Sequence, residues 1–187
     1  MWTPSAKQKE YIKKEAKEWA QSILIALVLT LILRTYVIQA FKIPSGSMRP
    51  TLLEGDKLFV NKYVYRFRSP DRGDIVVFRY PDDPRKDFIK RLVASGGETV
   101  EIRDGKIYVD GKMLDDPKSF GKFYYYNHDP FGGPDEKIRV PENTYYVLGD
   151  NSSNSTDSRF WGFVPKKNML GKAIFRWWPP NRIGRVE

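Results

Sequence analysis

The stretch "DIVVFRY", Asp74–Tyr80, is followed after a short polar connection by "DFIKRLVAS", Asp87–Ser95. Both runs are rich in β-branched and aromatic residues, which favour strands, and Pro, Gly and Asp residues separate them. Five more runs have the same character: "KLFVNKYVYRF" (57–67), "ETVEIRD" (98–104), "KIYVDGKML" (106–114), "NTYYVLGD" (143–150) and "GKAIFRWWP" (171–179). Many short strands at close spacing, without alternating helices, predict a mainly β domain with an antiparallel sheet.

Turn residues indicate how neighbouring strands connect. Asp104-Gly105 and Asp110-Gly111 are dipeptides typical of tight hairpin turns, so residues 98–114 are predicted to fold back on themselves twice. Residues 115–137, "DDPKSFGKFYYYNHDPFGGPDEK", are rich in Pro, Gly and aromatic residues and have no periodicity. We predict that they form a long excursion from the β domain.

The N-terminal part of the chain has a different character. A lysine-rich segment precedes the apolar run "WAQSILIALVLTLILRTYVIQAF" (19–41). Counted from Lys17 to Tyr36, the segment reaches the roughly 20 residues that a membrane-spanning helix needs. We therefore expect a tail at 1–16, one transmembrane anchor at 17–36 and the β domain at 37–187. A buried core helix or a cleaved signal peptide is the alternative, but no convincing small-x-small cleavage motif follows the apolar run.

The lysines predict the orientation of this anchor. Five of them lie at its N-terminal side, four before the anchor and Lys17 at its first position, and positively charged flanks stay in the cytoplasm. We expect a cell-membrane protein with a single anchor, a cytoplasmic N-terminus and an extracytoplasmic β domain.

Composition excludes several classes of chemistry. The 187 residues include no cysteine, which excludes thiol catalysis and cysteine-ligated metal sites, and a single histidine, His128, which excludes a multi-histidine metal site. The formal net charge of +9 suits either nucleic acid or an anionic membrane surface. Because the basic residues are scattered and no nucleic-acid-binding motif occurs, we expect no nucleic-acid partner.

A candidate nucleophile lies in "KIPSGSMRPTL", Lys42–Leu52, directly after the apolar stretch. A serine such as Ser47 needs an adjacent base, which here can be His128, a carboxylate or a lysine. His128 lies in the turn-like "NHDP", where a surface imidazole is ordinary. Strand alternation places Lys90 on the same face as Phe88 and Leu92, and desolvation there would favour a neutral amine. A half-buried lysine whose amine reaches water is the alternative.

The polar run "GDNSSNSTDSRFWG", Gly149–Gly162, is a further candidate. It could be a hydrophilic surface loop held by side-chain turns. Because it ends in Phe160 and Trp161, part of it could instead pack inward. In that case a hydroxyl could orient a neutral lysine, and a pair between Asp157 and Arg159 could brace the site.

Taken in order, these stretches resemble the motifs of bacterial type I signal peptidases, which are membrane-anchored Ser-Lys endopeptidases. "PSGSMRPTL" (44–52), "RGDIVVF" (72–78), "DFIKR" (87–91) and "GDNSSNSTDSRFWG" (149–162) are similar to the four motifs of that family. The single anchor resembles the compact Gram-positive form. Ser152-Ser153 departs from the family pattern, because many relatives carry a charged pair there.

The resemblance implies a role for each matching residue. Ser47 would be the nucleophile and Lys90 the general base, while the Ser45 hydroxyl and the Ser47 N–H would form the oxyanion hole. Ser155 would hydrogen-bond the Lys90 amine, with Asp157 and Arg159 shaping the site behind it. No metal and no other cofactor is implied.

The resemblance also implies the substrate. A signal peptide would pair in extended form between "AFKIP" (40–44) and "KDFI" (86–89), and shallow pockets would select small residues at the first and third positions before the cut. The implied substrate-binding residues are Phe41, Ile43, Pro44, Leu52, Asp87, Phe88 and Ile89. The implied partners are the signal peptides of exported preproteins, the lipid bilayer and the secretion translocon.

Two alternative functions can be weighed against this resemblance. "SFGK", Ser119–Lys122, matches the S-x-x-K string of penicillin-binding enzymes, but it lies in a glycine-containing loop and has no K-T-G partner. A non-enzymatic anchored β domain is the alternative from another class. The presence of Ser47, Lys90 and Ser155 argues against it.

Overall fold

The computed structural model describes residues 6–32 and 38–186. The chain divides into two compact units, Met1–Ile38 and Gln39–Glu187. The first unit contains helix α1, Ala6–Ile32. Within the described residues, no helix combines the length and the apolar character needed to cross a bilayer. Residues 1–5 of the expected tail and residues 33–36 of the expected anchor lie outside the described residues.

The second unit is built from strands, as predicted. Those in the first half of the chain are β1 Ile38–Lys42, β2 Lys57–Asn61, β3 Ile75–Arg79, β4 Asp87–Ser95, β5 Thr99–Arg103 and β6 Lys106–Val109. Those that follow are β7 Lys112–Met113, β8 Ile138–Arg139, β9 Thr144–Leu148, β10 Val164–Pro165, β11 Met169–Trp178 and β12 Gly184–Arg185. A short helix, α2, covers Ser158–Trp161.

The strands form two sheets. The larger runs in the order β1-β2-β11-β3-β4-β9-β10, with β12 paired to β11, and the smaller runs β7-β6-β5-β8. The registers from β2 onward are all antiparallel. The prediction of a mainly antiparallel β fold is therefore confirmed.

The two predicted hairpin turns are present in the smaller sheet. The φ angles are 49° and 72° at Asp104-Gly105, and 48° and 76° at Asp110-Gly111. Two consecutive residues with positive φ match the twist of a two-residue hairpin, and Asp-Gly is the favoured pair for it. These turns join β5 to β6 and β6 to β7.

One predicted strand is shorter than its sequence pattern. The run 57–67 forms a strand only to Asn61, and Val64–Arg66 is a 3-10 turn. The Asn61 side-chain oxygen accepts hydrogen bonds from the backbone N–H groups of Tyr63 (2.9 Å) and Val64 (3.0 Å). This local capping turns the chain out of the sheet despite its aromatic composition.

The buried residues show what supports each part of the fold. One apolar cluster underlies the segment after β1, and it contains Ile43, Met48 and Leu52 packed with residues of β2, β3 and β11. A larger cluster joins residues of both sheets. Residues 115–137 contain no helix or strand, yet Phe120, Phe123 and Tyr125 are buried in that larger cluster. The irregular region is thus packed against the β domain.

Candidate active site

Ser47 lies in a tight turn held from two sides. The chain is extended at Ser45 (φ −136°, ψ 159°) and then forms a 3-10 turn over Gly46–Met48. The Asn151 backbone N–H donates to the Ser47 carbonyl oxygen at 3.0 Å, and its side-chain amide donates to the Gly46 carbonyl oxygen at 3.0 Å. Leu52 closes the turn through its N–H, which bonds the Met48 carbonyl at 2.9 Å. These contacts fix the Ser47 backbone.

Strand β4 brings Lys90 to this turn. Its Nζ lies 2.8 Å from Ser47 Oγ and 3.1 Å from the Ile89 carbonyl oxygen. The ammonium also lies 5.4 Å from the centre of the Phe88 ring. Lys90 is only 4% exposed, so the alternative of a half-buried lysine reaching water is wrong.

Burial changes the protonation of this amine. Desolvation lowers the pKa of Lys90 from 10.5 to about 8, although the carboxylates of Asp157 and Asp150 oppose that shift. The guanidinium of Arg159 adds to the lowering. At pH 7 roughly a tenth of the lysines are neutral at this pKa, and about half are neutral at pH 8. Lys90 can therefore accept a proton near neutral pH.

The two supporting serines differ in their surroundings. Ser45 Oγ lies 3.4 Å from Ser47 Oγ, on the exposed side of the turn. Ser155 is buried, and its Oγ has no hydrogen-bond partner. The implied hydrogen bond from Ser155 to Lys90 is therefore not formed in this structure. The amine instead donates to Ser47 and Ile89.

Asp157 and Arg159 form a buried pair behind Ser155. The Asp157 carboxylate accepts from Arg159 Nε and Nη2 at 2.8 Å each, and it also accepts from the Gly149 N–H at 3.0 Å. Arg159 Nη1 and Nη2 reach the side chain and carbonyl of Ser152 at 2.7 and 2.9 Å. Such a two-point pair is rigid, so it fixes the loop that carries Ser155.

A second buried pair was not anticipated from the sequence. Arg91 Nε and Nη2 donate to the two oxygens of Asp150 at 2.7 Å each, and both side chains are 0% exposed. Thr51 Oγ1 donates to the same carboxylate at 2.5 Å. This pair joins β4 to the loop 149–162 and, through Thr51, to the chain just after the turn at Ser47. Arg91 follows the candidate lysine and Asp150 lies in the polar run, but no sequence pattern indicates that these residues, 59 positions apart, form a pair.

An open cleft of about 390 Å³ leads to Ser47 and Lys90. Four of the implied substrate-binding residues line it: Pro44, Asp87, Phe88 and Ile89. Ser45 lines it as well, together with Asn154 and Thr156, which sequence reasoning did not single out. Both of these residues belong to the polar run 149–162. Because its composition is typical of a surface loop, the sequence did not predict that they line the cleft with Ser47 and Lys90.

Three implied pocket residues do not line the cleft. Ile43 and Leu52 are 2% and 0% exposed, inside the cluster beneath the turn, and Phe41 packs against that cluster. In the extended chain Lys42 and Pro44 point outward, so Ile43 must point inward. These residues form a buried floor under the Ser47 turn. Their assignment to substrate binding stays a prediction.

Strand β4 leaves part of its edge open at the cleft. Its first half, Asp87–Lys90, pairs with β3 but with no second strand among the described residues, whereas β9 pairs with Arg91–Ser95. Because main-chain groups alternate between the two edges, the groups of Asp87 and Ile89 point away from β3. The Lys90 amine bonds the Ile89 carbonyl on that side. The open edge can accept an extended peptide.

The other candidate base, His128, has different surroundings. His128 is exposed, its ring stacks on Phe160 at 3.7 Å, and it does not line the cleft. In the part of the chain that the structure describes, no group of three or more His, Cys, Asp or Glu side chains is placed to hold a metal ion.

The sequence matches a known family over most of its length. The family model "Signal peptidase, peptidase S26" covers residues 16–178, which include Ser47, Lys90 and both buried pairs. The chain belongs to the signal peptidase family. The resemblance inferred from the four motifs is thus confirmed.

Individual signal peptidases agree with this membership. A probable signal peptidase I-2 of Synechocystis sp. is 42% identical over 173 residues, 89% of this chain and 75% of that protein. Signal peptidase I S of Bacillus subtilis is 37% identical over 183 residues, 94% of this chain and 96% of that protein. A solved signal peptidase I from Enterococcus faecalis V583 is 34% identical, covers 56% of this chain and 97% of its own, and has a TM-score of 0.46.

Proposed function

We propose that this chain is a membrane-anchored serine endopeptidase that removes the N-terminal signal peptides of exported preproteins. It uses Ser47 as the nucleophile and Lys90 as the general base. The observation that carries the proposal is the buried contact of 2.8 Å between Lys90 Nζ and Ser47 Oγ. Family membership supports the class of substrate.

The reaction begins with neutral Lys90. It takes the Ser47 proton as Oγ attacks the scissile carbonyl carbon, and a tetrahedral oxyanion forms. The Ser45 hydroxyl and the Ser47 N–H stabilise this oxyanion, and one such donor typically contributes about 10²–10³ in rate. Protonated Lys90 then gives its proton to the leaving amine, and an acyl-enzyme ester remains. Neutral again, the lysine activates the water that hydrolyses the ester.

The surrounding polar residues orient these two groups. Asp157 and Arg159 hold the loop that carries Ser155, and Ser155 bonds the Lys90 amine when that amine turns from Ser47 during the reaction. Catalytic hydrogen bonds often tighten only when the substrate is bound. The unpaired Ser155 hydroxyl is consistent with this role.

The signal peptide binds as an added strand. Its residues before the cut pair with the open edge at Asp87 and Ile89, and Pro44 also lines the cleft. Phe88 and Ile89 border the space for the side chains at the first and third positions before the scissile bond, and small side chains suit that space. That is the small-x-small signature of signal peptides.

Residues 17–36 serve as the anchor, with the tail 1–16 in the cytoplasm and residues 37–187 outside. The support is the apolar composition of the segment and the five lysines within residues 7–17. The bilayer is therefore a partner, and the secretion translocon that delivers preproteins is a further one.

Cysteine labelling tests this topology. Because the chain has no cysteine, an introduced Asp129→Cys should react with a membrane-impermeant maleimide in intact cells, and Glu10→Cys should not. The opposite labelling pattern would reverse the topology.

The decisive experiment is cleavage of a model preprotein by the full-length chain in detergent. The new N-terminus should follow a small-x-small motif, and Ser47→Ala should abolish cleavage while leaving the circular dichroism spectrum unchanged. Activity of the wild type should increase with pH as Lys90 loses its proton near its pKa of about 8. Normal processing by Ser47→Ala would refute the assignment.

A further inference from the structure

The region 115–137 carries two exposed aromatic side chains that the catalytic proposal does not use. Tyr124 and Tyr126 are 57% and 54% exposed, and their ring centres lie 4.9 Å apart with an interplanar angle of 60°. Exposed aromatic groups that lie together on a surface often mark a binding site. Their position next to the catalytic loops makes them candidates for substrate contact.

Both tyrosines are held in place by contacts with neighbouring elements. The Tyr126 N–H donates to Ser152 Oγ at 2.8 Å, and Arg159 Nη1 donates to the Tyr126 carbonyl at 2.8 Å. The Tyr124 ring lies against Gly105, where an added Cβ would come within 2.1 Å of a ring carbon. The backbone contacts position Tyr126, and a tyrosine side chain has only two rotatable bonds, so it loses little conformational entropy when a ligand binds.

The tyrosines line an open groove of about 330 Å³. Residues of two loops line it as well: Arg49, Pro50 and the segment 150–153. Both loops also line the catalytic cleft. The first does so through Ser45 and Ser47, which precede Arg49, and the second through Asn154 and Thr156, which follow residue 153. Groove and cleft are therefore neighbours along both loops.

We propose that this groove binds the mature segment of the preprotein, the residues that follow the scissile bond. The inference rests on the proposed function and extends it to substrate on the other side of Ser47. Residues before the cut occupy the cleft beside Ile89, so the residues after it must leave past the loop segments that continue into the groove. An extended peptide advances about 3.3 Å per residue, so a mature segment of six residues would span about 20 Å. Aromatic or long apolar side chains in that segment suit the ring faces.

The test compares two peptides that are identical up to the scissile bond. The short peptide ends one residue after the cut, and the long one continues for five more residues and has phenylalanine at the third and fourth mature positions. With the full-length chain in detergent micelles, kcat/KM should be higher for the long peptide. Combined Tyr124→Ala and Tyr126→Ala should lower the long-to-short ratio of kcat/KM by roughly tenfold. Hydrolysis of the short peptide should change by less than twofold.

Matched variants separate ring contact from folding. Combined Tyr124→Phe and Tyr126→Phe keeps both rings and should preserve most of the ratio. Tyr63→Ala removes a tyrosine that is 39% exposed on another surface and should leave the ratio unchanged. If the double alanine variant does not fold, each single variant should lower the ratio about threefold.

Two outcomes would overturn the inference while leaving the peptidase assignment intact: equal kcat/KM for both peptides in the wild type, or an equal loss on both peptides in the alanine variants. Absence of any Ser47-dependent cleavage in the wild type would refute the proposed function itself, and the inference with it.

Discussion

Replacement of Lys90 by methionine removes a buried amine whose charged form is destabilised by desolvation. Methionine has a similar length and no charge, so it can occupy the same volume beside Ser47 and Phe88. The variant should be inactive. It should also be more stable than the wild type at neutral pH, by an amount that depends on pH.

The lowered pKa of Lys90 determines the size and the sign of this difference in stability. Burial lowers this pKa from 10.5 in the unfolded chain to about 8 in the folded protein. Between these values the unfolded chain holds the Lys90 proton and the folded protein does not, so the free energy of unfolding increases with pH. A difference of about 2.5 pKa units corresponds to about 3 kcal/mol. The wild type should therefore gain up to this amount as pH increases from about 7 to above 10, and Lys90→Met should lack the gain.

Urea unfolding of the full-length chain in detergent, followed by tryptophan fluorescence at several pH values, measures the effect. Other groups also titrate in this range, but they are common to both proteins and cancel in the difference between wild type and Lys90→Met. Lys166→Met, which removes an exposed lysine, should follow the wild type. If the difference between wild type and Lys90→Met stays constant within about 0.5 kcal/mol from pH 7 to pH 10, the pKa of Lys90 is not lowered by burial.

Three other variants give separate tests. Lys90→Arg should lower kcat by about a thousandfold or more, because a guanidinium stays protonated; substantial preprotein cleavage would remove Lys90 from the role of base. Ser155→Ala removes a buried hydroxyl without a partner, so it should raise the free energy of unfolding by about 1 kcal/mol while lowering kcat. Unchanged kcat in that variant would exclude Ser155 from the mechanism. His128→Ala should leave kcat/KM within about twofold, since the ring lies outside the cleft, and a large loss would revive the histidine alternative.

The strand pattern predicted much of the fold because each strand carries its own local signal. All seven runs contain a strand, and Asp87–Ser95 coincides with β4. The two-residue strands β8, β10 and β12 have no such signal, because their pairing partners alone make them strands. The early end of β2 depends on the side chain of Asn61, which a composition pattern does not weigh.

The candidate site also has a part that the sequence predicts and a part that it does not. The contact between Ser47 and Lys90 could be predicted because the resemblance supplied both positions, and β4 places the lysine against the turn. The cleft lining was only partly predictable. Alternation along the extended chain sends Ile43 into the core, and Asn154 and Thr156 reach the cleft only because their polar loop folds inward.

The two buried ion pairs explain how a neutral lysine is possible between two carboxylates. Asp157 and Asp150 each raise the pKa of Lys90, which opposes the effect of burial. Each carboxylate is bonded at two points by an arginine, and a paired carboxylate attracts a nearby ammonium less than a free one does. Arg159 and Arg91 therefore do more than brace their loops, because they leave desolvation as the dominant influence on the amine. The sheet makes this possible: Arg91 follows Lys90 in β4 and pairs with Leu148 of β9, two residues before Asp150.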